Sequence, residues 1–304
     1  MQHSRLSRWF DRKGWVMILI GLPYVWLVVL FLLPFLIVVA MSVATNTPTA
    51  PPFSFGGEHP VVNLEPFSRV LTDTLYVRAF LTSVFNALVA AILCLLIGYP
   101  MALGLTRVSK SWRNILLMLV ILPFWTSFLL RVYAWMGLMG KNSWFNSLLT
   151  DAWNFLVPID WAVKSIPMMN TNFAVVLVMV YTYLPFMILP LYASLERLDP
   201  TLDEAAMDLG SRPSQVFRDI TLPQSIPGII AGGMLVFIPA AGELVIPTLV
   251  GNASQPMIGK IIQDEFGQAR DWPMASAVAV ALLLLMVVPT MIYSHYQAKA
   301  EGSK

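Results

Sequence analysis

Charged residues are scarce. They fill 12% of 304 positions, where a soluble domain carries about 25%. A surface this poor in charge faces lipid rather than water. The formal net charge of +2 is too small to hold a nucleic-acid backbone. One cysteine, Cys94, lies inside an apolar run, which excludes an intrachain disulfide and suits a small packed residue better than a reactive thiol. The three histidines, His3, His59 and His295, match no metal-ligand spacing. No G-x-x-x-x-G-K-[ST] stretch occurs, so the chain carries no phosphate loop of its own. Internal repeats, low-complexity segments and a second soluble domain are also missing. The sequence shows no nucleophile–base pair of the kind an enzyme needs.

What the chain has instead is apolar length. About 20 apolar residues cross the hydrocarbon core as a helix. Six stretches qualify, at roughly 15–41, 79–105, 114–138, 172–195, 226–250 and 273–296. The first follows Arg5, Arg8, Arg12 and Lys13, the charge order of a signal peptide. Its apolar length is nearly twice the roughly 7–15 residues of such peptides, so it reads as an uncleaved first span. Pro34, Pro100, Pro123, Pro185, Pro239 and Pro247 interrupt the spans. Neighbouring helices and water can satisfy the carbonyls proline frees, so these spans bend, and bent spans leave room for a cavity.

Lysine and arginine set the orientation. With the N-terminus inside, twelve fall in cytoplasmic segments and six outside, while Arg131 falls within the third span. Both termini are therefore expected in the cytoplasm. The expected organisation is a tail at 1–13, a first span at 14–42, an external loop at 43–78, a core of five spans at 79–297 and a tail at 298–304. "PFSRVLTDTLYVRAF" in the external loop reads as a short amphipathic helix. Trp144, Trp153 and Trp161 place residues 139–171 along the outer face, as interfacial anchors or as contacts for an external partner.

One polar stretch breaks the pattern, "RLDPTLDEAAMDLGSRPSQVFRDITLP". Asp199 is placed to cap a helix with Pro200 in its first turn. Leu202, Ala205, Ala206 and Leu209 then recur at helical spacing along one face. Gly210 suits the left-handed end of that helix. Ser211 is placed to cap a second short helix ending before Leu222-Pro223. Two short helices at a glycine elbow, with paired alanines permitting close approach, form either a docking element or an amphipathic surface helix.

"EAAMDLGSRPSQVFRDITLP" resembles the signature of the membrane subunits of bacterial ABC importers. Glu204, Ala205, Ala206, Gly210, Ile220, Leu222 and Pro223 fit its seven positions without a gap. The resemblance implies an all-α integral membrane protein with the type I importer permease fold, six transmembrane helices and a cytoplasmic coupling helix within 199–223. It implies that Glu204, Ala205, Ala206, Asp208, Leu209 and Gly210 seat in a groove on a separate ATPase subunit. ATP and magnesium would bind there and not on this chain. A second permease subunit, two ATPase subunits and an external, periplasmic binding protein complete the implied machine, in the bacterial inner membrane. "LPFWTSFLLRVYAWMGL", "FIPAAGELVIPTLVG" and "RDWPMASAVAV" are similar to the polyamine branch, nearest its putrescine permeases, with the spermidine ones close behind.

Several intramembrane residues bear on the solute. A carboxylate near a span centre costs roughly 2.5–3.5 kcal/mol, so Glu243 is expected either in the solute pathway or bonded to broken backbone between Pro239 and Pro247. Trp125, Tyr133, Trp135, Tyr181 and Tyr183 are candidates to line a cavity, since aromatic faces attract ammonium groups. Packing or interfacial roles are the alternative. Arg131 is expected to snorkel to the outer surface, to join a structural network or to pair with Glu243. Gly228 and Gly232 have the spacing of a close helix contact. Asp264, Glu265 and Asp271 form an acidic group, for a polyamine, a binding protein or plain solvent. A permease for another small solute is the first alternative, a secondary transporter driven by an ion gradient the second.

Overall fold

The computed structural model describes residues 19–56, 62–156 and 163–301, with the backbone alone described at 288–289 and 292–301. The expected tail 1–13, His59, Trp161, the His295 side chain and residues 302–304 lie outside the described set. Its regular structure is helical, apart from a short antiparallel hairpin, β1 (Thr45–Asn46) against β2 (Phe53–Ser54). The chain divides into two compact units, Met1–Thr72 with Asp264–Leu283, and Asp73–Gln263 with Leu284–Lys304.

In the first unit, α1 (Leu19–Met41) buries nothing. Its Leu22, Trp26 and Phe31 are all exposed. An apolar surface on every side is stable where the solvent is lipid. The amphipathic stretch of the external loop is two helices rather than one. The first is α2 (Glu65–Thr72). Asp73 then ends it and caps the next helix by accepting from the Leu75 N–H at 2.9 Å. Asp271 is structural within this unit. It accepts from the Met274 N–H at 3.0 Å and pairs with Arg69 at 3.8 Å. Trp272 stacks on Phe266 with centroids 4.8 Å apart.

The second unit is built on α3 (Thr74–Arg107), α7 (Asn172–Leu195) and α9 (Pro213–Ala241), packed against one another. Small residues on α3 allow the approach: Ala87, Ala90, Ala91, Cys94 and Ala102 are all buried. On α9 the spacing of Gly228 and Gly232 marks a contact as expected. A Cβ at Gly228 would stand 2.5 Å from Ser194 Cβ, and one at Gly232 would stand 3.0 Å from the Met187 carbonyl oxygen.

Span by span, the structure alters the sequence-based count. Among the described residues four helices are individually long and apolar enough to cross a membrane: α1, α3, α7 and α9. The third apolar stretch is not one helix. It comprises α4 (Lys110–Ile121), a tight turn at Leu122–Trp125 and α5 (Phe128–Met139), bent by 91°. Pro123 and the extended backbone at Thr126 account for the break. The sixth stretch lies in α12 (Trp272–Glu301), whose described apolar portion is Trp272–Val287. That helix runs past the expected boundary at 297. The second span begins at Thr74, five residues before the expected start, because Asp73 supplies the cap. At 34 residues it is about 51 Å long at 1.5 Å per residue, longer than the ~30 Å hydrocarbon core.

The remaining elements are α6 (Trp144–Leu156), α8 (Pro200–Asp208), α10 (Val245–Val250) and α11 (Ile258–Asp264). Gly232→Leu is expected to lower the thermal midpoint of the purified protein, by overpacking worth about 1–3 kcal/mol. Gly233→Ala, one residue on, meets nothing within 4 Å and should leave the midpoint in place. A thermal melt of both variants in one detergent checks this.

Candidate functional site

Two places in the second unit combine unusual backbone with functional side chains. The first is the polar segment. Asp199 caps α8, its carboxylate accepting from the Thr201 N–H at 3.0 Å. That bond holds the Asp199 carboxyl below its ordinary range. Gly210 has φ +90°, which a side-chain-bearing residue rarely adopts. The left-handed turn lets the Gly210 N–H reach the Met207 carbonyl at 2.9 Å and the Ser211 N–H reach the Ala206 carbonyl at 3.0 Å. This pair of bonds satisfies the carbonyls that a helix end leaves free.

Beyond the elbow the structure departs from the sequence expectation in two ways. Arg212, not Ser211, is the N-cap, its N–H donating to Gln215 Oε1 at 2.8 Å. The second helix does not stop before Leu222-Pro223. It is the first part of α9, which passes through a widened turn at Phe217–Thr221 and continues to Ala241. The wide turn precedes Pro223, whose ring clashes with the carbonyl four residues back in regular helix. The elbow is therefore joined rigidly to a span. α8 itself has no buried residue. Glu204, Ala205 and Asp208 are exposed, Ala206 is half-buried, and Leu209 is 89% exposed.

The second place is the break between α9 and α10. α9 ends at Gly242, and Glu243 follows, only 9% exposed. Its Oε1 accepts from the N–H groups of Leu244 (3.1 Å), Val245 (2.9 Å) and Ile246 (3.4 Å). Its Oε2 accepts from the Tyr183 hydroxyl. The carboxylate thus caps the restarted helix and ties it to the middle of α7. Gly259 closes in from α11, where a Cβ would stand 2.7 Å from the Gly242 carbonyl oxygen. The Ile258 N–H donates to Ser83 Oγ at 2.8 Å.

Of the aromatic candidates, Tyr183 alone reaches Glu243. Trp125 is 75% exposed and Tyr133 56% exposed, on either side of the 91° break. Trp135 packs edge-on to Tyr181 at 5.5 Å and to Phe145 at 6.5 Å. Phe186 went unnoticed in the sequence, although it lies one turn beyond Tyr183. It contacts Tyr183 at 6.2 Å and Phe124 at 4.9 Å. Arg131 does not snorkel. It is 8% exposed, with its guanidinium 5.8 Å from the centroids of both Phe124 and Phe128. Its Nε and Nη1 are buried without a hydrogen-bond partner, and it forms no ion pair with Glu243. The bend after α4 turns it inward. Asn86 and Thr182 also hold buried polar atoms without a partner. Being uncharged, they gave no sequence signal. Among the described residues no cluster of His, Cys, Asp or Glu is able to hold a metal.

A multi-pass helical chain, broken twice and presenting an exposed polar elbow, belongs to a known class. Residues 94–301 match the model of the binding-protein-dependent transport system inner membrane component family. The chain is a member of that family, a bacterial ABC importer permease of the inner membrane and a transport component rather than an enzyme. It is 37% identical over 281 residues to the spermidine/putrescine transport system permease protein PotB of Haemophilus influenzae, covering 92% of this chain and 93% of that one. Identity to PotB of Escherichia coli strain K12 is also 37%, over 268 residues, covering 88% and 92%. The fold aligns with a permease in a crystal structure of a bacterial alginate ABC transporter in complex with its alginate pentasaccharide-bound periplasmic protein. The TM-score is 0.67 at 18% identity, covering 97% of this chain and 98% of that chain.

Two outcomes are expected at these places. Glu243→Ala strands three backbone N–H groups and should destabilise the protein by about 2–4 kcal/mol, whereas Glu243→Gln keeps an acceptor and should cost far less. Thermal melts separate the two. Asp199 has a lowered carboxyl pKa, so its cap holds above the ordinary value of 3.8 and is lost as pH falls through the folded value. Asp199→Ala should speed amide exchange in the first turn of α8 at neutral pH. Asp199→Asn should slow it again and remove the pH dependence.

Proposed function

We propose that this chain is a translocation subunit of an ATP-driven importer for polyamines, putrescine or spermidine. The observation that carries the reading is the exposed α8–Gly210 elbow, which together with the start of α9 bears the complete seven-position signature. Its closed hydrogen bonding and open apolar side chains suit a rigid knob seated on another protein. In this reading Glu204, Ala205, Ala206, Asp208, Leu209 and Gly210 meet an ATPase subunit, which binds ATP and magnesium. A second permease subunit completes the pathway, and an external binding protein delivers the solute. Both termini lie in the cytoplasm, in keeping with the two-to-one excess of lysine and arginine on that side.

The polyamine assignment rests on the relatives named spermidine/putrescine permeases and on local chemistry. A polyamine carries two or more positive charges. Tyr183 bonds the Glu243 carboxyl and packs on Phe186, and an aromatic face is worth about 0.5–2 kcal/mol to an ammonium group. Glu243 first serves the backbone and Tyr183, so in this reading a solute meets carboxyl oxygens that already accept hydrogen bonds. Trp125 and Tyr133, exposed beside the break, and Trp135 behind them are placed to meet the solute only if a second subunit covers that face. A different solute is the main alternative, because the same fold imports alginate in the distant neighbour.

ATP-dependent uptake of labelled putrescine by the reconstituted complex, with spermidine, sulfate and thiamine as competitors, tests the assignment. Competition by spermidine alone supports it; uptake without ATP hydrolysis would sink it. Gly210→Val forces a strained backbone worth about 1–3 kcal/mol. It is expected to cut uptake roughly tenfold while the chain still inserts. Uptake at the wild-type rate with normal ATP coupling would count against the lever.

A further inference from the structure

The lever is held at its root as well as at its docking face, and the role drawn from that attachment rests on the importer reading. α7 ends at Leu195, and the next residue, Glu196, stands three positions ahead of the Asp199 cap. Arg113 Nη1 donates to Glu196 Oε1 at 2.9 Å. Arg113 lies in the first turn of α4. Its Nη2 donates to the carbonyls of Thr106 (3.3 Å) and Val108 (3.5 Å), where α3 ends. Cations suit helix C-termini because the last carbonyls lack partners there. One planar guanidinium therefore ties three chain segments together at the root of the lever. Its side chain is largely withdrawn from solvent, and a rigid fork holds geometry that a lysine cannot. The far side of the lever is bolted to the same helix α3. Phe217 packs edge-on to Tyr99 at 5.6 Å. Ser225 gives its one proton to the Leu222 carbonyl at 2.8 Å, so the Tyr99 hydroxyl donates to Ser225 Oγ at 2.9 Å.

We propose that Arg113 is a positioning residue that carries the motion of α8 into α4, and through α4 to the 91° break at Leu122–Trp125. α4 has no proline before that break and spans twelve residues, about 18 Å of straight helix. A displacement of its first turn is delivered at its far end, beside Trp125 and Phe124. Arg113 touches neither nucleotide nor solute. Its loss should therefore separate hydrolysis from transport rather than abolish both.

Uptake and ATP hydrolysis are measured together on the reconstituted complex for wild type, Arg113→Ala, Glu196→Gln, Arg113→Lys and the double variant. Failure of ATP-dependent uptake in wild type would refute the importer reading, not the strut alone. Given wild-type uptake, Arg113→Ala and Glu196→Gln are each expected to lower uptake about five- to tenfold, with hydrolysis within roughly twofold. Arg113→Lys should recover part of the loss. The double variant should be no worse than the worse single, because the pair acts as one unit. Uptake within about twofold of wild type in both singles overturns the proposal, as do losses that multiply in the double variant. Uptake and hydrolysis falling in step, even in Arg113→Lys, would mark a merely structural role and overturn it too. Should Arg113→Ala fail to assemble, Glu196→Gln decides, since it leaves Arg113 its two carbonyl partners.

Discussion

Hydrocarbon offers a polypeptide no hydrogen-bond partner, so every interruption of a helix in it must be repaired by the protein itself. The break after α9 shows the repair most plainly. Gly242 ends one helix, and three freed N–H groups converge on a single oxygen of Glu243. The other oxygen takes the Tyr183 hydroxyl, which fixes the restarted helix to α7. An intramembrane carboxylate is costly to bury, and this one offsets that cost with four hydrogen bonds.

The same constraint organises the lever. Its elbow lies where backbone groups face water, yet it closes its own hydrogen bonds through Gly210. Beyond it α9 runs without interruption from Pro213 through the widened turn at Phe217–Thr221 to Ala241. α9 in turn rests on α7 through Gly228 and Gly232. α8 is thus joined through the elbow to α9, which packs in the three-helix core, and Arg113 joins the end of α3 and Glu196 to the first turn of α4.

Much of this was legible in the residues. Apolar length marked the spans, and seven spaced positions marked the family, because both rest on local pattern. Asp199 and Gly210 were readable as cap and elbow for the same reason. Breaks were harder. Pro123 lies in the third apolar stretch, but proline equally permits a gentle bend, as Pro100 within α3 shows. The 91° turn also needs the extended backbone at Thr126, which no periodicity reveals. Of the alternatives open for Arg131, snorkelling fails as a consequence, since it supposed a straight span that would have carried the side chain to the surface. Glu243 was recognised as important, but its bond to Tyr183, sixty residues away in the chain, belongs to tertiary packing. Arg113 and Glu196 looked like ordinary cytoplasmic charges until the fold brought them together.

The importer mechanism depends on α8 being a surface made to be covered by an ATPase. Cys94, the sole native thiol of this chain, is buried, so within this chain a cysteine introduced at Leu209 is the one exposed thiol. Maleimide labelling of Leu209→Cys should be fast in the permease pair without its ATPase. In the assembled complex it should slow by about tenfold or more, as a nine-tenths exposed side chain becomes an interface core. Equal labelling rates in the two preparations would contradict that role for α8.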